Sequence, residues 1–347
     1  MKNKRQFIPR RPAVTVRDVV VVLFVLAVIL CLLLPWIVRQ RAEARRTTCQ
    51  RRQMALGKAI LQLEANVGHF QGYRNAQATD ANGQEQPTGW VFPLLPYLRP
   101  PLDRGPPPAP DDVSPDDAKP DEQSVTLPAP PYLGVYEQYG PAGPDGTRGR
   151  KPSQFIAELI CPDDPPADPA ATPNWSSWIV NAGMPDSPPA PEFPSDWPAN
   201  GVFLDLFTPG ATGSAGGTSV AFIQQHDGVE NTLLLSENVD SGLWTDHAEA
   251  QVGFVWVAGI HNGLPDPGDR LLRINQLAGQ GDGSLRFARP SSRHRGGVNM
   301  VYASGAVQFL SEDIDYLVFA RLMISDSHGA EIPGSDDPVP PPYRLAD

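Results

Sequence analysis

The chain has 347 residues, with 40 prolines, 31 glycines, three cysteines and a formal net charge of -11. That length can bury one large core or two ordinary ones. Residues 1–52 hold twelve Lys/Arg against two acids, so the remainder carries -21; an acidic body lacks the positive surface that phosphate backbones require, and nucleic acid is excluded as an expected partner.

Residues 1–13 are basic, with Lys2, Lys4, Arg5, Arg10 and Arg11 and no acid. Val19 to Val38 then reads VVVVLFVLAVILCLLLPWIV, twenty residues without a charge. At about 1.5 Å rise per residue such a helix spans a hydrocarbon core of about 30 Å. It has no polar face of the kind a globular core helix presents to water. A single pass through the lipid bilayer is therefore expected. Ala42-Glu43-Ala44 fits a small-x-small cleavage pattern, but the apolar run exceeds the roughly 7–15 residues of a secretory signal. Arginines flank both ends of the run, so charge alone does not orient it.

Past the membrane, Cys49, Leu56, Ile60, Leu63 and Val67 recur at spacings of 7, 4, 3 and 4, which places them on one helical face. Gly68 follows as a C-cap. One helix from about Asp18 to Val67 is predicted, kinked at Pro35, with its inner half in lipid and its outer half offering an apolar stripe to a globular domain. Cys49 lies on that stripe. Cys49 and Cys161 either form one disulfide in an oxidising compartment or remain buried thiols.

Residues 69–333 read as a β-rich body. Residues 100–131 are rich in proline and acids and read as an extended, flexible insertion that buries too little surface to order. Strands are expected at Thr232–Ser236 and Val252–Ala258. Met300–Tyr302 and Val307–Phe309, around Ala303-Ser304-Gly305-Ala306, read as a hairpin. Ile314–Ile324 reads as a short closing helix. Residues 334–347 form a flexible tail.

Two segments carry candidate chemistry. Arg293, His294, Arg295, Gly296 and Gly297 form either an anion or ligand site, with glycines admitting backbone N–H groups, or a turn entering the hairpin; the turn is the favoured reading. Asp227 and Glu230, in His226–Thr232, offer oxygens to Ca²⁺, but Asp227-Gly228 is also a common turn pair and the turn is favoured. Glu237 is expected to be bonded internally, to Arg293 or Arg295. The six histidines are scattered and show no zinc-ligand spacing. There is no nucleophile elbow, P-loop or dinucleotide fingerprint. No catalytic residue, cofactor or metal is therefore expected. Trp175, Trp178, Trp197, Trp244 and Trp256 offer stacking faces for sugars, or anchors for the core.

The stretch from Ala13, AVTVRDVVVVLFVLA, resembles a type IV prepilin N-terminus: a basic leader, a small residue, a cut, then an apolar helix with one early acid. The resemblance implies processing between Ala13 and Val14 by a prepilin peptidase, with methylation of the new amine. Asp18 takes the place of the family's acid and Pro35 that of its helix-kinking proline. The family prefers Gly at the position of Ala13 and Glu at that of Asp18. In a filament, Asp18 would pair with the terminal ammonium of a neighbouring subunit and set axial register; a carboxylate at the membrane edge is costly without such a partner. The other reading pairs it with Arg17 or water in the headgroup region.

LLLPWIVRQRAEARRTTC, LEANVGHF, GWVFPLLPYL, LICPDD, WIVNAG, NGVF, HDGVENTLLLSEN and SRHRGGVNMVYASGAVQFLSEDID follow in an order that resembles the DUF1559 family of pilin-like proteins of planctomycete-type bacteria. The resemblance implies an α+β, pilin-like fold: a long N-terminal helix (14–68) packed on an antiparallel β domain with loop insertions. It implies a non-enzymatic structural subunit of a type II secretion or type IV pilus-like filament, held in the bacterial inner membrane with its C-terminal domain outside the cytoplasm and associating with itself or with other pilin-like subunits. The rival expectation is an anchored binding protein, for a ligand or carbohydrate, that does not assemble.

Overall fold

A computed structural model describes residues 16–79, 85–98, 154–185, 196–207, 217–256, 273–276 and 278–330. The Ala13–Val14 junction, the leader, the 100–131 insertion and the 334–347 tail lie outside the described residues. The chain divides into two compact units, Met1–Arg45 and Arg46–Asp347.

Helix α1 runs Val16–Val67, 52 residues, unbroken past Pro35. In the first unit it exposes large apolar side chains, among them Val20, Phe24 and Leu34. Side chains at 16–18, 22, 32 and 35–38 lie outside the described set, and among the described residues no helix is long and apolar enough to cross a membrane.

In the second unit the predicted stripe is buried at Cys49, Leu56, Ile60 and Leu63. Val67 is an exception at 51% exposure, because the last turn runs past the edge of the core. Gly68 ends the helix as expected, with φ +88° and its N–H donating to Glu64 O at 2.6 Å. Gln53, midway between Cys49 and Leu56 on the same face, is also fully buried.

Strands β1 (Arg74–Thr79) and β2 (Glu85–Gly89) pair antiparallel. The main sheet holds β3 (Trp178–Gly183), β4 (Leu233–Glu237), β5 (Gly253–Val255), β6 (Gly297–Tyr302) and β7 (Val307–Ser311), in the order β5-β3-β4-β6-β7. The expected antiparallel pairing holds at three of the main sheet's four described pairings and is corrected at the fourth. β5 pairs parallel to β3, reached by a crossover through the short helix α3 (Glu249–Val252) rather than by a hairpin. The fold is mixed α and β, consistent with α+β.

β3, β4 and β6 are buried along their whole length, as strands covered on both faces must be. Leu235 pairs with Val301, and these two, with Asn299 and Glu237, share the face toward α1 by the two-residue alternation of strands. Gly57 permits the close approach: a Cβ there would lie 2.7 Å from Val301 Cγ1. On the opposite face Asn181 donates to Met323 O at 2.7 Å and Leu233 O at 2.8 Å. Met323 ends α4 (Tyr316–Met323), the predicted closing helix. The predicted hairpin is also present: Tyr302 N donates to Ala306 O at 2.9 Å, and Gly305 sits at φ +83°. Helix α2 (Val220–Gln225) is capped by Ser219, whose Oγ accepts from Phe222 N.

Candidate functional site

Four segments far apart in sequence deliver one side chain each to a point between α1 and the sheet. Cys49 comes from α1. Cys161 follows the 3-10 turn Ala157–Leu159. Glu237 ends β4. His294 comes from the turn that enters β6. All four are buried, and their donor atoms all lie within 4.8 Å of one another.

Each position has a local cause. The Ser292 hydroxyl donates to Gly297 O at 2.7 Å and accepts from His294 N at 3.0 Å. This pins the turn, with Gly296 at φ +86°, and directs the ring inward. Cys161 N donates to Ser177 Oγ at 3.0 Å, which ties the Cys161 loop to the start of β3. Cys49 is placed by the helical stripe.

Glu237 is the hub. Its Oε1 accepts from Cys49 Sγ at 2.8 Å and from Asn299 Nδ2 at 2.9 Å, and lies 3.1 Å from His294 Nε2. Its Oε2 accepts from Asn299 N at 3.3 Å. His294 Nε2 also lies 3.6 Å from Cys161 Sγ. On the other side of the ring, His294 Nδ1 is 3.0 Å from Asp163 Oδ2. Gln53 completes the helix side, donating to Asn299 O at 3.0 Å.

The electrostatics follow from this crowding. Burial works against a charged imidazole, but hydrogen bonds with Cys161 and Glu237 and the Glu237 charge outweigh it, and His294 is pushed up to about 10. The Cys49 thiol is pushed far up, first by burial and then by its hydrogen bond with Cys161. Cys161 moves the other way, to about 7, chiefly through its hydrogen bond with Cys49 and against the cost of its own burial. Burial raises Asp164, with Arg293 opposing.

Several expectations are corrected. Glu237 is internally bonded, as read, but to His294, Cys49 and Asn299 rather than to an arginine. Arg293 reaches Asp164 instead, Nε to Oδ1 at 3.2 Å, and Arg295 is exposed. The 293–297 segment is a turn with its imidazole inward. Cys49 and Cys161 are brought together as expected, and both are free thiols. The absence of a metal-ligand spacing did not mean the absence of a ligand cluster, because the donors converge through tertiary structure. Asp163, Asn299 and Gln53 were missed. The available signal was Gln53, one turn beyond Cys49 on the buried face.

Asp227 serves the turn before β4 and also ties down a later loop. It accepts from Ser327 N at 2.9 Å and from Ser327 Oγ at 2.8 Å, while Asn231 Nδ2 donates to Asp227 O at 2.8 Å. The oxygen-bearing group around Asp227 is completed by Asp326 and His328, not by Glu230, which is exposed. Trp178, Trp244 and Trp256 are core anchors, each 1–2% exposed, with indole N–H groups donating to the carbonyls of Glu158, Gln154 and Asn200. These three present no face to a sugar, whereas Trp197 is 44% exposed and Trp175 is half-buried.

No curated protein and no solved structure matches this chain. The family model described as "Protein of unknown function (DUF1559)" matches residues 39–317, a span that takes in α1 from its middle, all seven strands and all four side chains of the buried cluster, and the chain belongs to the DUF1559 family.

Proposed function

We propose that this protein is a non-enzymatic, membrane-anchored pilin-like or pseudopilin-like structural subunit. The observation that carries the reading is the divided character of α1. One unbroken helix exposes apolar side chains along its first part and buries an apolar stripe from Cys49 onward. An exposed apolar helix in water needs a cover, and lipid or the matching helices of neighbouring subunits supply one. The twenty uncharged residues 19–38 support insertion in a bilayer, and the basic leader with Ala13, Val14 and Asp18 supports the prepilin route. In this reading the β domain lies outside the cytoplasm and meets partners or cargo.

The static-anchor alternative draws on Ala13 and Asp18, which stand where prepilins prefer Gly and Glu. The experiment is the intact mass and N-terminal sequence of the protein from its native membrane. A chain beginning at a methylated Val14 is the expected result. A membrane-bound chain beginning at Met1 would overturn assembly in favour of the static anchor. Recovery in the soluble fraction would overturn both.

A further inference from the structure

The buried cluster has the composition and arrangement of a metal centre, and nothing in the family description assigns one. We propose that Cys49, Cys161, Glu237 and His294 bind one Zn²⁺ as a four-coordinate structural site that fastens α1 to the sheet.

The donor set comes first. Two thiolates, one imidazole and one carboxylate are all ligand types that zinc accepts in tetrahedral geometry, and the sulfur content disfavours Mg²⁺ and Ca²⁺, which take oxygen ligands. With metal–ligand bonds of about 2.0–2.3 Å, the donors of a tetrahedral site lie about 3.3–3.8 Å from one another. Cys161 Sγ and His294 Nε2, at 3.6 Å, stand at that spacing. Glu237 Oε1 is closer, 2.8 Å from Cys49 Sγ and 3.1 Å from His294 Nε2, as hydrogen-bonded atoms are. Zinc would replace the protons that bridge them, with shifts of a few tenths of an ångström to about 1 Å.

The surroundings make the second argument. A zinc-bound histidine characteristically donates its other ring N–H to a carboxylate, and a ligating carboxylate is itself held by hydrogen bonds. Here the ring nitrogen facing the cluster is Nε2, while Nδ1 faces Asp163 Oδ2 at 3.0 Å. Glu237 is held by both the backbone and the side-chain amide of Asn299. Four protein ligands in a buried site leave no open coordination position, so the role is structural rather than catalytic.

The inference does not rest on membrane anchoring or assembly. A chain that proved soluble or unprocessed would remove the preceding reading and leave this one standing.

The test uses the full-length chain in detergent micelles, reduced, stripped by a chelator, and titrated with Co²⁺ and then Zn²⁺. One equivalent of Co²⁺ is expected to give the visible bands of a tetrahedral site with thiolate-to-metal charge transfer, and one equivalent of Zn²⁺ to abolish both. Cys31→Ser should leave the spectrum unchanged, and Cys161→Ser should remove about half of the charge-transfer intensity, one of two thiolates. Asp163→Asn keeps all four ligands and is expected to weaken Zn²⁺ binding about 10–100-fold; this carries the proposal if Cys161→Ser does not fold. A reduced chain that melts cooperatively yet takes up no stoichiometric Co²⁺ or Zn²⁺ would overturn it. So would a spectrum that survives replacement of both Cys49 and Cys161, or native protein that is metal-free and linked by a Cys49–Cys161 disulfide.

Discussion

Cys49 and Glu237 stand 188 residues apart in sequence, and the thiol of the first donates to the carboxylate of the second at 2.8 Å, with both side chains buried. The bond joins the helix to the end of a central strand. Through Glu237 it continues to His294 and Asn299.

Removing the hub leaves four donor atoms, on Cys49, His294 and Asn299, without their acceptor. Glu237→Ala is therefore expected to destabilise the domain by about 3–5 kcal/mol, the range for breaking one side of a buried charged pair. Urea unfolding of the metal-free, reduced chain, followed by tryptophan fluorescence, measures it; the buried Trp178, Trp244 and Trp256 supply the signal. A loss below about 1 kcal/mol would mean that Glu237 is not the centre of the network.

Gly57→Ala sets a Cβ 2.7 Å from Val301 Cγ1. A short, branched valine cannot swing clear, so the helix or β6 must shift, at about 1–3 kcal/mol. Val301→Ala opens that space, and the double variant should recover part of the loss, giving a favourable coupling in a double-mutant cycle. Strict additivity would show that the helix does not press on the sheet at this position.

The raised His294 sets a pH dependence. Its folded value, about 10, lies above the ordinary 6.5. Its contribution is thus fully present below about pH 6.5, declines as pH rises, and is lost above about pH 10. In the metal-free chain, stability measured across this window should fall more steeply for wild type than for His294→Gln. Parallel profiles would mean that the ring is neutral in the fold.

The two buried thiols should titrate apart. In a metal-free Cys31→Ser chain, thiolate absorbance in the ultraviolet should show one step near pH 7, where Cys161 is held, while Cys49 stays protonated. Cys49→Ala removes the first cause of that lowering and should move the step upward. A step unmoved by Cys161→Ser would contradict the assignment.

Asp227→Ala removes the acceptor of two hydrogen bonds from Ser327. A loss of about 1–3 kcal/mol is expected, since bonds to a carboxylate exceed neutral ones. Ser327→Ala should reproduce part of it, and the two losses should not add.

Much of the architecture was legible because it is local. The helical stripe, Gly68 as a cap, the 303–306 turn and the closing helix all follow from periodicity and turn chemistry over a few residues. The parallel β5 was not, because a three-residue strand carries too little pattern to reveal its direction or partner. Cys49 and Cys161 were paired by elimination among three cysteines. His294 and Glu237 were each singled out, yet their union was hidden: strands β3, β4 and β6 had to be ordered before the end of β4 could meet the turn before β6. The neighbouring arginines drew attention as partners for Glu237, but long cationic side chains reach solvent more cheaply than they bury, and the shorter imidazole took the interior place.

The attachment of α1 also fixes how the domain would bear a load. Cys49 and Gln53 grip Glu237 and Asn299, which belong to β4 and β6, inner strands of a five-stranded sheet. Tension drawn along the helix therefore reaches the sheet at its middle, where each strand has hydrogen-bonded neighbours on both sides. The edge strand β7 shares the pull through Phe309, over whose ring the Arg46 guanidinium lies at 3.8 Å. A tether joined at the centre must strain several strands together before any one of them gives way.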